Sequence, residues 1–192
     1  MGKKGFYFNQ VLCTGCRACQ VACKDKNDTP IGILFRNVSD YEVGTYPDVK
    51  VYHYAATCNH CADPACLKVC PTQAIYVDET DQTVIFDSNL CNGCKACVDA
   101  CPYNVPQYYP EQNIVRKCDA CAQLRGAGEL PACVGACTMR ALEFDDIETL
   151  KTKYPDAVNK IVILSDPSLT TPGTLINPRA GALLDNPVKV HM

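Results

Sequence analysis

The sequence predicts an α+β fold, rich in loops, in which short strands and short helices surround repeated cysteine units and an extended arm follows at the C-terminal end. Three observations carry that expectation. The 192 residues include sixteen cysteines, which fall in four groups of four with long cysteine-free stretches between them. One cysteine-bearing stretch occurs twice along the chain. The β-prone runs are only a few residues long and are bounded by polar turns, as in small strands joined by tight connections.

Taken in chain order, Phe6-Tyr-Phe8 reads as the first strand. Group one follows as Cys13, Cys16, Cys19 and Cys23, spaced C-x2-C-x2-C-x3-C. Val49-Lys-Val-Tyr-His-Tyr54 reads as a strand leading to group two, Cys58, Cys61, Cys66 and Cys70, spaced C-x2-C-x4-C-x3-C. Ala74-Ile-Tyr-Val77 and Thr83-Val-Ile-Phe86 flank Asp78-Glu-Thr-Asp-Gln82, two β-prone runs around a polar turn and hence a hairpin. Group three, Cys91, Cys94, Cys97 and Cys101, repeats the spacing of group one, and group four, Cys118, Cys121, Cys133 and Cys137, is spaced C-x2-C-x11-C-x3-C. Each x3-C tail suits the first turn of a short helix. Asp146-Ile-Glu-Thr-Leu-Lys-Thr-Lys153 places acids first and lysines last, which favours a helix through its dipole. From Ser165 onward Pro, Gly, Thr and Asn predominate, as in an extended arm without a core of its own.

The repeat is direct: Phe8-Asn-Gln-Val-Leu-Cys-Thr-Gly-Cys-Arg-Ala-Cys-Gln-Val-Ala-Cys23 lies over Phe86-Asp-Ser-Asn-Leu-Cys-Asn-Gly-Cys-Lys-Ala-Cys-Val-Asp-Ala-Cys101. Beyond the cysteines, the two copies share the Phe, the Leu, the Gly of C-x-G-C and two Ala. One cluster-binding unit has been duplicated.

Several function classes are excluded. A formal net charge of −3 leaves no basic face for nucleic acid. No stretch approaches the roughly 18 consecutive apolar residues of a membrane span. The first residues, Met1-Gly-Lys-Lys-Gly-Phe-Tyr-Phe-Asn9, lack the apolar run of ~7–15 residues of a secretory signal, so no export signal of its own and no anchor are expected. Disulfide scaffolds of this cysteine density are short secreted chains, and this chain is neither; reduced thiols imply folding in a reducing compartment, the cytoplasm. No nucleotide loop, catalytic triad or flavin fingerprint is present, and no catalytic residue is expected.

The spacings point to iron–sulfur chemistry. A cubane exposes four irons, each needing one thiolate. A C-x2-C-x2-C loop curls around the cube to reach three of them, and the fourth thiolate comes from a distant segment. The run C-x2-C-x2-C-x3-C-P is that of bacterial ferredoxins, whose last cysteine serves the other cluster. Pro102 follows Cys101 and Pro71 follows Cys70, turning the chain away after the ligand. Zinc needs only two C-x2-C knuckles per site and leaves the x3-C tails unexplained. Four thiolates around an oxidised cube leave about −2 per site, so four sites add about −8 to the protein's charge and call for N–H donors aimed at sulfur. Gly15 and Gly93 let the backbone come close. Arg17 and Lys95, equivalent in the repeat, are candidates for raising cluster potentials, against a reading as solvated surface cations.

The four groups, with x4 in the second and x11 in the fourth, resemble the four-cluster electron-transfer subunits of the dimethyl sulfoxide reductase family of molybdenum enzymes. The resemblance spans roughly residues 5–165 and includes Cys58-Asn-His-Cys-Ala-Asp-Pro-Ala-Cys66, Cys101-Pro-Tyr-Asn-Val-Pro-Gln-Tyr108, Lys117-Cys-Asp-Ala-Cys121 and Pro131-Ala-Cys133. It implies four [4Fe–4S] clusters in two interleaved ferredoxin-like modules, group one pairing with four and group two with three. The implied ligand sets are Cys13, Cys16, Cys19 and Cys137; Cys23, Cys118, Cys121 and Cys133; Cys58, Cys61, Cys66 and Cys101; and Cys70, Cys91, Cys94 and Cys97. The outer module would comprise residues 1–47 and 110–164, the inner one 48–109, and the tail 165–192 would clasp a partner. Lys24 and Thr138 stand after Cys23 and Cys137 where a simple ferredoxin has proline.

The resemblance further implies a large molybdopterin (Mo or W) catalytic subunit as partner, a quinol-oxidising membrane subunit or other donor on the far side, and a final location either cytoplasmic or reached with an exported twin-arginine partner. Two rival functions are a free polyferredoxin serving several partners and a zinc scaffold without redox function. His60 is set aside as a ligand because its group already holds four cysteines; His53 sits in a strand pattern and His191 at the chain end. Tyr103, Tyr108 and Tyr109 are read as ordinary packing ahead of a shielding or partner role.

Overall fold

A computed structural model describes residues 2–190. Its first strand, β1 (Lys4–Asn9), lies at the centre of a three-stranded sheet, antiparallel to β8 (Leu142–Asp146) on one side and parallel to β9 (Thr174–Asn177) on the other. A central strand buries both faces, which is why Phe6-Tyr-Phe8 is an unbroken aromatic run. Phe6 and Phe8 enter the main core, while Tyr7 points the opposite way to join Leu150 and Leu175 and to stack on Tyr154 at 3.7 Å. A second sheet joins β2 (Asn37–Val43) antiparallel to β3 (Lys50–Ala56) and to β10 (Val188–Val190). Two hairpins complete the strands: β4 (Ile75–Val77) with β5 (Val84–Phe86), and β6 (Gln107–Tyr109) with β7 (Ile114–Arg116).

The helices are short, and most start within a cysteine group. α1 (Ala18–Lys26), α2 (Ala65–Lys68), α3 (Ala96–Ala100), α4 (Ala122–Gly126) and α5 (Ala132–Gly135) all begin one residue before or after a cysteine. α6 (Ile147–Lys153) carries no cysteine. Its cap is Asp146, whose carboxylate accepts from the amides of Glu148 and Thr149 at 3.0 and 3.2 Å, and Lys151 and Lys153 occupy its last turn. The fold is α+β and ferredoxin-like.

The C-terminal stretch packs its apolar residues into the cores of the body. Leu175 and Ile176 of β9 are buried, Ala182 is fully buried, and β10 closes the edge of β2. The Pro- and Gly-rich composition hides a strand whose apolar residues complete the sheet of β1. Strand pairing also bears on the module limits: β2 with β3 crosses position 47/48, and the β6–β7 hairpin crosses 109/110. A buried ion pair between Arg125 of α4 and Asp81 of the β4–β5 turn ties the inner hairpin to the outer elements.

Candidate metal centres

The turn that begins each group has one backbone form. In C-x-G-C, Gly15 and Gly93 adopt φ of 70° and 73°. The same position in group two is His60 at φ 42°, and in group four Ala120 at φ 54°. This left-handed residue curls the loop so that amide N–H groups point inward. His60 N donates to Cys58 Sγ at 3.4 Å and Ala120 N to Cys118 Sγ at 3.3 Å. Val115 N reaches Cys91 Sγ at 3.4 Å and Ala141 N reaches Cys137 Sγ at 3.2 Å. Beyond the last cysteine, Gln73, Asn104 and Arg140 each turn left-handed again. Thr138 thus leads into the same turn that proline precedes elsewhere, whereas Lys24 continues helix α1, which runs on to Lys26.

Cys13, Cys16, Cys19 and Cys137 line one cavity together with Phe8, Val38, Ala55 and Leu142. Cys58, Cys61, Cys66 and Cys101 line a second with Val84, Tyr103 and Lys117. Cys70, Cys91, Cys94 and Cys97 line a third with Ile75, Phe86 and Val115. Cys23, Cys118, Cys121 and Cys133 are all buried where α1 packs on α5, and their charges act on one another. The quartets are also neighbours in order. Cys19 feels Cys133, Cys118 feels Cys58, and Cys66 packs with Cys97 in one apolar cluster.

Burial sets the thiol chemistry. It pushes Cys19, Cys61 and Cys97 up to about 11, Cys23 and Cys66 up to about 12, and Cys118 well above its ordinary value. Metal loading therefore has to displace protons from these sites. Cys16 goes the other way, lowered by the N–H of Ala18 and the hydroxyl of Thr138.

The donor set suits a cube of iron and sulfide. A tetrahedral zinc site draws four sulfurs to about 2.3 Å from one centre. Among the described residues no three His, Cys, Asp or Glu side chains converge tightly enough to hold one ion. Three of the quartets instead line apolar cavities, and backbone amides are directed at sulfur in all four.

Arg17 and Lys95 are spent elsewhere. Both start helices in the left-handed form at φ 63°, but Arg17 pairs with buried Asp40, which also takes His53 Nδ1 at 2.8 Å. Lys95 sits 3.9 Å above the ring of Tyr108. His60 is fully buried and neutral, its pKa driven well down by burial and by Lys117, Lys3 and Arg125. Its Nδ1 accepts from Val84 N at 3.1 Å, which fixes β5 to the group-two loop. Tyr109 is buried in the main core, Tyr108 donates to Asn113 at 2.9 Å, and Tyr103 meets the Thr170 hydroxyl at 3.3 Å. His191 lies outside the described residues. Two buried cations, Arg36 and Lys117, are not evident as functional residues from the sequence. For Arg36 the only signal is a charge following the apolar Ile33-Leu-Phe35; for Lys117 it is the place beside Cys118.

Comparison with known proteins agrees with this geometry. Residues 49–147 match a 4Fe-4S dicluster domain and residues 12–27 a 4Fe-4S binding domain. The B subunit of the anaerobic dimethyl sulfoxide reductase of Haemophilus influenzae is 39% identical over 96% of this chain and 93% of its own length. Its namesake from Escherichia coli is 37% identical over 93% and 90%. Protein NrfC of Escherichia coli is 38% identical over 75% of this chain and 66% of its own. With its sixteen cysteines, the protein belongs to the family of anaerobic dimethyl sulfoxide reductase B subunits, electron-transfer proteins carrying four [4Fe–4S] clusters.

Proposed function

We propose that this protein is the electron-relay subunit of a reductase complex, passing electrons from a quinol-side membrane subunit or other donor to a large molybdopterin catalytic subunit. The relatives named as reductase B subunits support that assignment. The observation that carries it is the pattern of exposure along the quartets. Of the sixteen cysteines only Cys16 and Cys94 are exposed. Under the proposed ligand sets they belong to the first and last quartets of the neighbour order, and the two middle quartets have no exposed cysteine. Exposed Met139 lines the cavity of Cys16, exposed Val11 and Leu12 directly precede Cys13 of the same quartet, and exposed Val69 and Leu90 directly precede Cys70 and Cys91 of the quartet of Cys94. Apolar rims of this kind suit protein partners. When bound, the clusters supply one-electron transfer without protons. The protein's own residues hold them, aim N–H dipoles at sulfur and exclude water.

The ligand sets follow the cavities: Cys13, Cys16, Cys19 and Cys137; Cys58, Cys61, Cys66 and Cys101; Cys70, Cys91, Cys94 and Cys97; with Cys23, Cys118, Cys121 and Cys133 completing the buried set. The inner module is best taken as residues 57–116, since β3 pairs outward and the β6–β7 hairpin holds together, with Val115 in the inner apolar cluster. Exposed Leu169, Leu183, Leu184 and Val188 make the C-terminal stretch a docking surface laid over the body. Among the described residues no helix is long and apolar enough to cross a membrane. Membrane association would therefore come through a partner, and export with a twin-arginine-bearing one.

Anaerobic affinity purification from the native host tests this reading. A stable 1:1 complex with a large polypeptide containing molybdenum or tungsten is expected. A protein that emerges alone, with its clusters, and reduces several unrelated acceptors would favour the free polyferredoxin.

A further inference from the structure

Arg36 stands at the entrance to β2, only 1% exposed. Among the described residues its one side-chain hydrogen bond runs from Nη1 to the carbonyl of Ala55 at 2.9 Å. Among the described residues neither Nε nor Nη2 has a partner. The guanidinium carbon lies 5.0 Å from the centre of the Phe6 ring, and the Arg36 amide donates to the Cys23 thiol. A buried, permanently charged group with two idle N–H directions is costly unless an anion meets it. No carboxylate serves, because Asp40 is engaged by Arg17 and His53. An arginine keeps its charge at any ordinary pH; here it bonds Ala55, which lines the cavity of the first quartet, its amide meets Cys23 of the second, and its charge acts on the thiols of Cys133, Cys19, Cys118 and Cys23. Those thiols come from two quartets: Cys19 from the first, and Cys23, Cys118 and Cys133 from the second.

We propose that Arg36 is a shared internal counter-cation for the first and second clusters, a positioning residue that makes both easier to reduce. The inference rests on the four-cluster reading and extends it to the control of potential. Reduction adds one electron to a site whose thiolates and cube are already negative. A fixed positive charge nearby stabilises that added charge and raises the potential. The low-dielectric surroundings leave little screening, so one buried arginine acts more strongly than an exposed one. Arg17, whose charge Asp40 offsets, does not duplicate it.

The test is an anaerobic redox titration, followed by electron paramagnetic resonance, of the full-length protein in wild-type, Arg36→Gln and Arg36→Lys forms, with iron and sulfide counted in each. Wild type should hold about sixteen iron per chain. If it does not, the four-cluster reading fails before Arg36 is tested. Arg36→Gln removes the charge and keeps a polar end. Two of the four potentials should fall while the other two stay in place. Arg36→Lys keeps the charge and should return both toward wild type, though its ammonium lacks the planar fork. An Arg36→Gln protein with full iron and four unmoved potentials overturns the proposal. So does an equal drop in Gln and Lys variants. Should Arg36→Gln lose iron, the proposal requires Arg36→Lys to retain it; loss from both shows that shape, not charge, is what matters.

Discussion

At the scale of the residue, the cysteines do different work although they look alike in the sequence. Cys101 lies at the end of group three, yet it lines the cavity of Cys58, Cys61 and Cys66. Replacing it therefore has a specific consequence. Cys101→Ala should remove or convert the same paramagnetic signal as Cys58→Ala, and a different one from Cys91→Ala, with a loss of up to about four iron in each. A Cys101→Ala spectrum that matches Cys91→Ala would overturn the nested ligand sets. Every cysteine was legible as a ligand candidate because thiolate spacing is a local property. The cations were not. Arg17 and Lys95 attract notice because they sit inside the repeat, yet their charges are taken up by Asp40 and by the ring of Tyr108. Arg36 and Lys117 escape notice because their burial is set by residues far along the chain: Lys117 Nζ donates to the carbonyl of Val84, and Arg36 Nη1 to that of Ala55 at 2.9 Å.

At the scale of the element, the cysteine loops share a backbone form that side chains disguise. Glycine marks the left-handed position in two groups, and His60 and Ala120 hold it in the others. The cost of that conformation for a residue with a Cβ is about 1–2 kcal/mol. Gly93→Ala adds a clash, since its Cβ would stand 2.3 Å from the backbone oxygen of Asn113. It should lower the anaerobic thermal midpoint clearly. Gln73→Gly is the opposite case: Gln73 is exposed at φ 57°, and glycine there should stabilise by about 0.5–1 kcal/mol after its own entropic cost. Equal midpoints for the two variants and wild type would contradict this account of the loops. The β4–β5 hairpin and α6 were legible, since alternating apolar residues and an Asp cap act over a few positions. β2, the β6–β7 hairpin and β9 were not. Asn37-Val-Ser-Asp-Tyr-Glu-Val43 has weak alternation and becomes a strand through pairing with β3 on one side and β10 on the other.

At the scale of the whole molecule, the repeated unit explains the layout. A loop that supplies three ligands needs its fourth from elsewhere, so duplication yields partners that must stay together. With the inner pair set between the two halves of the outer pair, as proposed, the four quartets stay neighbours, Cys19 feeling Cys133, Cys118 feeling Cys58, and Cys66 packing with Cys97. The interleaving came from resemblance and not from spacing, because sequence distance does not reveal which group faces which. The C-terminal stretch shows the same limit: its composition indicates an extended arm without a core of its own and does not reveal that it supplies the edge strands of two sheets. The most direct test of the central claim is the iron, sulfide and electron count of wild-type protein purified without oxygen. About sixteen iron, about sixteen sulfide and uptake of about four electrons per chain are expected. A colourless protein with about four zinc and no electron uptake would contradict it.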